Sequence, residues 1–206
     1  QIAVCDLSLP DCADRLYQKT GDVDILILNA SIQYRKAWNE ITDEEFDKQI
    51  AVNFKASLKL IQKYAPYMQR QKWGRIITIG SVQEAKPHPD MLVYAASKAA
   101  QTNMAQSLAV QLAPYGIKVN AVCPGNFLNG PLWSDPEKGL FVQYLNAGKV
   151  PGAKTVEDVK KFYEAKVPMN RGCLPIDVAR AVMYCVEQKY ETGQAIPVTG
   201  GQVMLN

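Results

Sequence analysis

Apolar residues in this chain gather into short runs separated by stretches of helical spacing, and that alternation leaves few folds open. The runs are Asp24-Ile-Leu-Ile-Leu28, Ile76-Ile-Thr-Ile79, Ile117 to Val122 and a last one at Ala195 to Val198, with residues 2 to 5 (Ile-Ala-Val-Cys) as a further strand-like run. A continuous run such as 24–28 suits a parallel strand covered on both faces. Between the runs lie a helix-like stretch from Ser8 to Lys19 and a capping box, Thr42-Asp-Glu-Glu45, followed by Phe46, Ile50, Phe54, Leu58 and Ile61 at helical spacing. Tyr94 to Leu112 reads as an alanine-rich helix, Pro124 to Pro168 as a long irregular region with short helices, and Pro175 to Glu187 as a helix. Strand and helix alternate throughout, which predicts an α/β domain with a doubly wound parallel sheet. At 206 residues and 48% apolar content a single packed domain is expected, and disorder is excluded as the main state.

Charge and composition remove several function classes. The net charge of +3 is spread over 23 basic and 20 acidic residues without a like-charge block, so neither nucleic acid nor a membrane surface is indicated as a partner. No apolar run approaches the roughly 18 residues of a membrane span. The five cysteines, Cys5, Cys12, Cys123, Cys173 and Cys185, form an odd set without a C-x-x-C pair, which predicts small buried apolar residues and a reducing, cytoplasmic setting. With His88 as the single histidine, no His-rich metal site is expected, and there is no G-x-S-x-G elbow.

Tyr94 and Lys98 stand at i and i+4 near a helix start, on one face. A cation about 4 to 5 Å from a phenol, at an effective dielectric near 20, supplies roughly 3 to 4 kcal/mol, enough to lower the phenol's pKa by two to three units. The pair could therefore work as an acid/base tyrosine. With 10 tyrosines in the chain the spacing alone arises about once by chance, so its company matters. Ser81 follows directly on the strand 76–79, which puts its hydroxyl at the carboxyl edge of a parallel sheet, where ligands bind. Serine and tyrosine could there share one substrate oxygen.

These residues and others in order along the chain resemble the short-chain dehydrogenase/reductase family. The marks are Asp6-Leu7, Leu28-Asn29-Ala30-Ser31, Val52-Asn53-Phe54, Ile79-Gly80-Ser81, Tyr94-Ala-Ala-Ser-Lys98, Val119-Asn120 with Pro124-Gly125, and Thr192-Gly193-Gln194 with Gly200-Gly201. The resemblance implies a Rossmann-type oxidoreductase using NAD or NADP. It implies Tyr94 as catalytic acid/base, Lys98 lowering the Tyr94 pKa and binding the nicotinamide ribose, Ser81 on the carbonyl or carbinol oxygen, and Asn53 holding a relay water. It places Asp6 and Leu7 at the adenine, Asn29, Ala30 and Ser31 along the adenosine ribose, and Pro124, Gly125, Asn126 and Phe127 at the nicotinamide. Bland readings stand beside these: Asp6 as a helix cap, Asn53 as a side chain bonding nearby backbone. Four positions depart from the pattern, Leu28 and Ser31 around the ribose, Phe127 where a branched residue is usual and Asn129 where a threonine is usual. The family's opening strand and T-G-x-x-x-G-x-G turn are not in the 206 residues, so about two preceding strand–helix units are expected, with a redox-inactive short form serving as a binding module as the alternative.

The segment from about 126 to 170 holds Trp133, Phe141, Tyr144, Phe162 and Tyr163, with Thr155-Val-Glu-Asp158 as a helix start, and a stretch so long is read as a lid over the substrate. The alternative is an excursion that only packs its own aromatics. Val167 to Cys173 and Thr199 to Met204 look like the sorbitol-6-phosphate dehydrogenase branch of the family, which implies a small-molecule substrate of the polyol or sugar class, phosphorylated or not. The competing reading is a 3-oxoacyl thioester. Ser81, Gln83, Glu84, Lys86, His88 and Asn126 are the candidate substrate contacts, and Lys86, Lys149, Lys154 and Arg171 are unranked cations for a phosphate. Apolar faces on the helices 46–61 and 94–112 predict a homo-oligomer, dimer or tetramer, with Gly200 to Asn206 near a second axis.

Overall fold

The computed structural model describes residues 2–86 and 88–204. The end of the Gly200–Asn206 segment thus lies outside the described residues. The order is α1 (Cys12–Thr20), β1 (Ile25–Leu28), α2 (Asp43–Ile50), a π-helical turn (Ala51–Lys55), α3 (Ala56–Gln71), β2 (Gly74–Ile79), α4 (Leu92–Leu112), β3 (Ile117–Pro124), α5 (Pro131–Ser134), α6 (Leu140–Asn146), α7 (Val156–Glu164), α8 (Pro175–Glu187) and β4 (Ala195–Val198). The strands form one parallel sheet in chain order, β1-β2-β3-β4.

Strand alternation sorts side chains to the two faces. On one face Ile76, Ile117 and Val119 join Leu60, Ile61, Tyr64, Met68, Ala105, Ala109 and Leu112 in the largest core, under α1, α3 and α4. On the other, Ile77 and Val122 pack with Val182 and Cys185 of α8. The sheet is therefore wound on both faces, as its apolar runs predict. Two capping boxes fix helix starts: Thr42 with Glu45 at α2 and Thr155 with Asp158 at α7.

Three expectations need correction. Residues 2–5 form no strand: they do not pair with the free edge of β1, and Ile2 and Val4 are 93% and 84% exposed. Nor is β1 covered on both faces: Ile25 and Ile27, on the same face, are exposed. The first helix begins at Cys12 rather than Ser8, since a turn held by Asp6 and interrupted by Pro10 precedes it.

α2, the π turn and α3 run as one continuous rod. Its buried seam is Gln49, Val52, Asn53, Ser57, Leu60, Ile61, Tyr64 and Met68, so of the apolar stripe read from spacing Ile61 is buried while Ile50, Phe54 and Leu58 flank the seam and Phe46 is 47% exposed. The seam is polar at the carboxyl edge of the sheet and apolar below it. α4 repeats the arrangement, with Ser97, Lys98, Gln101 and Thr102 above Ala105, Ala109 and Leu112. Hydrogen bonds from Asn53 Nδ2 to Ser97 Oγ (3.1 Å) and from Gln101 Nε2 to Ser57 Oγ (2.8 Å) join the polar halves.

Residues 128–163 build a small core of their own from Leu128, Trp133, Leu140, Phe141, Tyr144, Val150 and Val159. After β4, Gly200 and Gly201 adopt positive φ (61° and 85°), which glycine tolerates and other residues rarely do. That turn lays the chain against Val167 and Pro168 and brings Gln202 Oε1 to the backbone N–H of Asn126 (3.1 Å).

Candidate active site

A cavity of about 680 Å³ opens at the carboxyl edge of β2 and β3, between the sheet and the 128–163 subcore. Of the expected site residues it gathers Ser81, Gln83, His88, Tyr94, Pro124, Gly125, Asn126 and Phe127 on its walls. Ser81 follows β2 and starts a short 3₁₀ turn, accepting from the N–H of Gln83 (3.2 Å). Tyr94 stands in the first turn of α4 and comes to the same edge.

Lys98 is 1% exposed and lies behind this wall. Its ammonium donates to the carbonyl of Ile79 (2.7 Å) and to Gln101 Oε1 (3.3 Å), and sits 5.9 Å from the Tyr94 ring centre. Burial lowers its pKa to about 8, against the raising influence of Glu84 and Cys123. The expectation that Lys98 lowers the Tyr94 pKa is corrected here. Burial pushes the Tyr94 phenol above its ordinary value; a hydrogen bond with Ser81 draws it down and the charge of Glu84 draws it up. Desolvation of the phenolate decides the balance, a contribution that distance arithmetic between two side chains leaves out.

Asn53 is fully buried and its amide is saturated. Oδ1 accepts from Ser31 Oγ (3.1 Å) and Ile32 N (2.8 Å), while Nδ2 donates to Ile32 O (2.9 Å) and Ser97 Oγ (3.1 Å). An amide has two acceptor and two donor places, so its side chain has none left for a relay water. What it does is tie the loop after β1 to α4, where Ser97 Oγ in turn donates to the Tyr94 carbonyl (2.7 Å).

The remaining expected residues are elsewhere. Asp6 is exposed and accepts from the N–H and hydroxyl of Ser8 (2.9 and 2.8 Å), which hold its carboxyl below the usual range. This is a local turn before α1, neither a helix cap nor an approach to the cavity. Leu7, Asn29 and Ala30 line a separate groove of about 290 Å³ beside β1. Glu84 turns away from the substrate cavity, accepting from Thr102 Oγ1 (2.7 Å) and Cys123 Sγ (3.2 Å). Of the phosphate candidates only Lys86 lines the cavity; Arg171 is paired with Asp177 (2.6 Å) on another surface. No group of His, Cys, Asp or Glu among the described residues is arranged to hold a metal, and no helix among them is long and apolar enough to cross a membrane.

Sequence reasoning missed Gln33, Arg35, Met91, Lys166 and Gln202, all on the cavity wall. Only Gln202 carried a signal, its place beside Gly200-Gly201. Gln83 Oε1 is buried on this wall without a protein donor.

Glu84 makes a pH test available. A carboxylate near Tyr94 and Lys98 favours the protonated form of both. Glu84→Gln removes that charge, so the pH profile of turnover for alcohol oxidation is expected to move toward acid by on the order of one unit. An unmoved profile would show that Glu84 is electrostatically silent there.

The family profile described as short chain dehydrogenase matches residues 3–136. The 3-oxoacyl-[acyl-carrier-protein] reductase FabG of Rickettsia felis is 33% identical over 99% of this chain and 77% of its own length. Among solved structures, the sorbitol-6-phosphate 2-dehydrogenase SrlD of Erwinia amylovora superposes with a TM-score of 0.85 at 30% identity, over 98% of this chain and 78% of that one. An NAD+-bound xylitol dehydrogenase gives 0.80 at 25% identity, over 97% and 78%.

Proposed function

Because the chain belongs to the short-chain dehydrogenase family and is an oxidoreductase that uses NAD or NADP, we propose that it interconverts a secondary alcohol and a ketone on a polyol or sugar, with Tyr94 as acid/base. When bound, the cofactor takes up or delivers hydride at its nicotinamide ring. The residues fit such a group. Pro124 to Phe127 share a cavity wall with Ser81 and Tyr94 and would hold the nicotinamide, and Lys98 would hold its ribose. The groove of Leu7, Asn29 and Ala30, lined also by Leu26 and Leu28, would take a flat heteroaromatic base.

In reduction, the Tyr94 hydroxyl gives its proton to the substrate oxygen as that oxygen gains negative charge, and Ser81 donates a hydrogen bond to the same atom. The raised phenol pKa keeps Tyr94 in its acid form at neutral pH, ready for this step. In oxidation Tyr94 must first lose its proton, so the rate rises with pH. Asn53 positions Ser31, Ile32 and the head of α4. Residues of 126–170 would close over the substrate, since Trp133, Leu140, Tyr144 and Tyr163 line the cavity while packing together. The half-exposed apolar face around Phe46 and the exposed Leu92 and Val110 of α4 support a homo-oligomer, dimer or tetramer.

The observation that carries the polyol reading is the set of uncharged polar side chains on the cavity wall beside Tyr94, namely Ser81, Gln33, Gln83, Asn126 and Gln202. Several hydroxyls of one substrate would give such a wall its hydrogen-bond partners. A second reading, reduction of a 3-oxoacyl thioester, is favoured by the apolar lining of Val82, Met91, Leu132 and Leu140. Steady-state assays with hexitols, the corresponding ketoses and a 3-oxoacyl thioester separate the two. The polyol reading expects the larger kcat/KM for a hexitol or ketose; a clear preference for the thioester overturns it.

A further inference from the structure

Every charged side chain on the cavity wall is basic. Arg35 enters from the loop after β1, Lys86 and His88 from the loop after β2, and Lys166 from the end of the segment carrying α7; no carboxylate lines the cavity among the described residues. The chain has 20 acidic residues and pairs its bases readily elsewhere, as in Lys36–Glu45, Lys63–Asp14 and Arg171–Asp177. The absence of acid from this wall is therefore a local property of the site.

The two lysines have no counter-charge. Among the described residues neither Lys86 nor Lys166 has a carboxylate within ion-pair distance, and the Lys166 ammonium rests on the faces of Phe162 and Tyr163, at 4.2 and 4.7 Å from the ring centres. Asp90, behind the wall, is engaged by Arg35 through Nε and Nη2 and by His88 through Nδ1, so it fixes those two side chains and neutralises neither lysine. Arg35 also donates from Nη2 to the Tyr144 hydroxyl (3.1 Å), and its Nη1 makes no hydrogen bond among the described residues. Like charges collected in a concave, partly apolar site repel one another and focus a positive potential.

We propose that the substrate carries a terminal anionic group, phosphate or carboxylate, remote from the reacting carbon and held by Lys86, Lys166 and Arg35; this rests on the polyol reading above. The three cations come from three separate segments, one of them the 126–170 region. An anion among them draws that region onto the body of the domain, so binding at the far end of the substrate closes the site over Ser81 and Tyr94. Lysines act here as point charges and Arg35 as the oriented donor.

The test compares kcat/KM for a hexitol, its 6-phosphate and a hexonate at low ionic strength. One of the two anions should exceed the hexitol about 100-fold, as two charge-assisted contacts imply, and which one leads identifies phosphate or carboxylate. In Lys86→Gln/Lys166→Gln that ratio should collapse toward one, and high salt should reduce it in the wild type. A hexitol used as well as both anions, or a ratio unchanged in the double variant, overturns the proposal. If none of the three is turned over, the polyol reading falls separately. The anion site is then read from competitive inhibition of 3-oxoacyl thioester reduction by inorganic phosphate: inhibition lost in the double variant upholds it, and no inhibition overturns it.

Discussion

Tyr94→Phe is expected to lower turnover at least ~100-fold in both directions while leaving the protein folded, because general acid/base catalysis by a positioned side chain contributes about that much or more. The phenylalanine ring keeps the packing of Tyr94 in the first turn of α4. What is removed is one hydroxyl, the group that exchanges a proton with the substrate oxygen. Ser81 cannot take over: its Oγ is a hydrogen-bond donor beside Tyr94, with an acidity far from that of a phenol, and it already accepts from Gln83 N. Thermal unfolding should move little, since the Ser81 hydrogen bond is the one interaction the hydroxyl makes that bears on its ionisation. KM for substrate should change less than kcat, the signature of an interaction used in the transition state. Turnover within a few-fold of wild type would remove Tyr94 from the mechanism.

The residues proposed to carry this chemistry were legible because they are spaced by covalent geometry. Ser81 follows directly on β2 and Tyr94 lies one loop further, so a parallel strand and a helix start deliver both to one edge. The capping boxes at Thr42 and Thr155 were legible for a similar reason, being four-residue local devices. What hydrophobic periodicity cannot see is a buried seam that is polar. Along α2, the π turn and α3 the eye follows Phe46, Ile50, Phe54, Leu58 and Ile61, of which Ile61 is buried, whereas the face turned inward at the carboxyl edge of the sheet is polar, Gln49, Asn53 and Ser57. On α4 the same holds for Ser97, Lys98 and Gln101. The strand expected at residues 2–5 failed for another reason: apolar sequence proposes a strand, but only a neighbouring backbone edge makes one. Arg35 and Lys166 were invisible because they lie more than a hundred residues apart and meet only across the cavity.

Lys98 shows how a functional demand is opposed by folding, and its replacement by methionine gives the second large effect. Turnover should fall on the order of 100-fold or more, since Lys98 is the proposed ribose contact that positions the cofactor. Stability should respond in the opposite sense at neutral pH. The folded pKa is about 8 against an ordinary 10.5, so folding is penalised wherever the group is charged in both states. The depressed folded value means that between about pH 8 and pH 10.5 the unfolded chain binds the extra proton, and stability rises with pH through that window. The penalty is fully present below pH 8 and relieved above pH 10.5; at 1.36 kcal/mol per unit it amounts to about 3 kcal/mol. Part of it is offset at neutral pH by the bonds to Ile79 O and Gln101 Oε1, which the methionine variant leaves without their donor. Comparing wild type and Lys98→Met by denaturant unfolding at pH 7.5, 9 and 10.5 cancels the other alkaline titrations. The stability difference should shift toward the wild type by about 3 kcal/mol across that range. A difference that stays flat would mean that the ammonium is not held against its burial, and the account of Lys98 as a cation retained for chemistry at the expense of stability would fail.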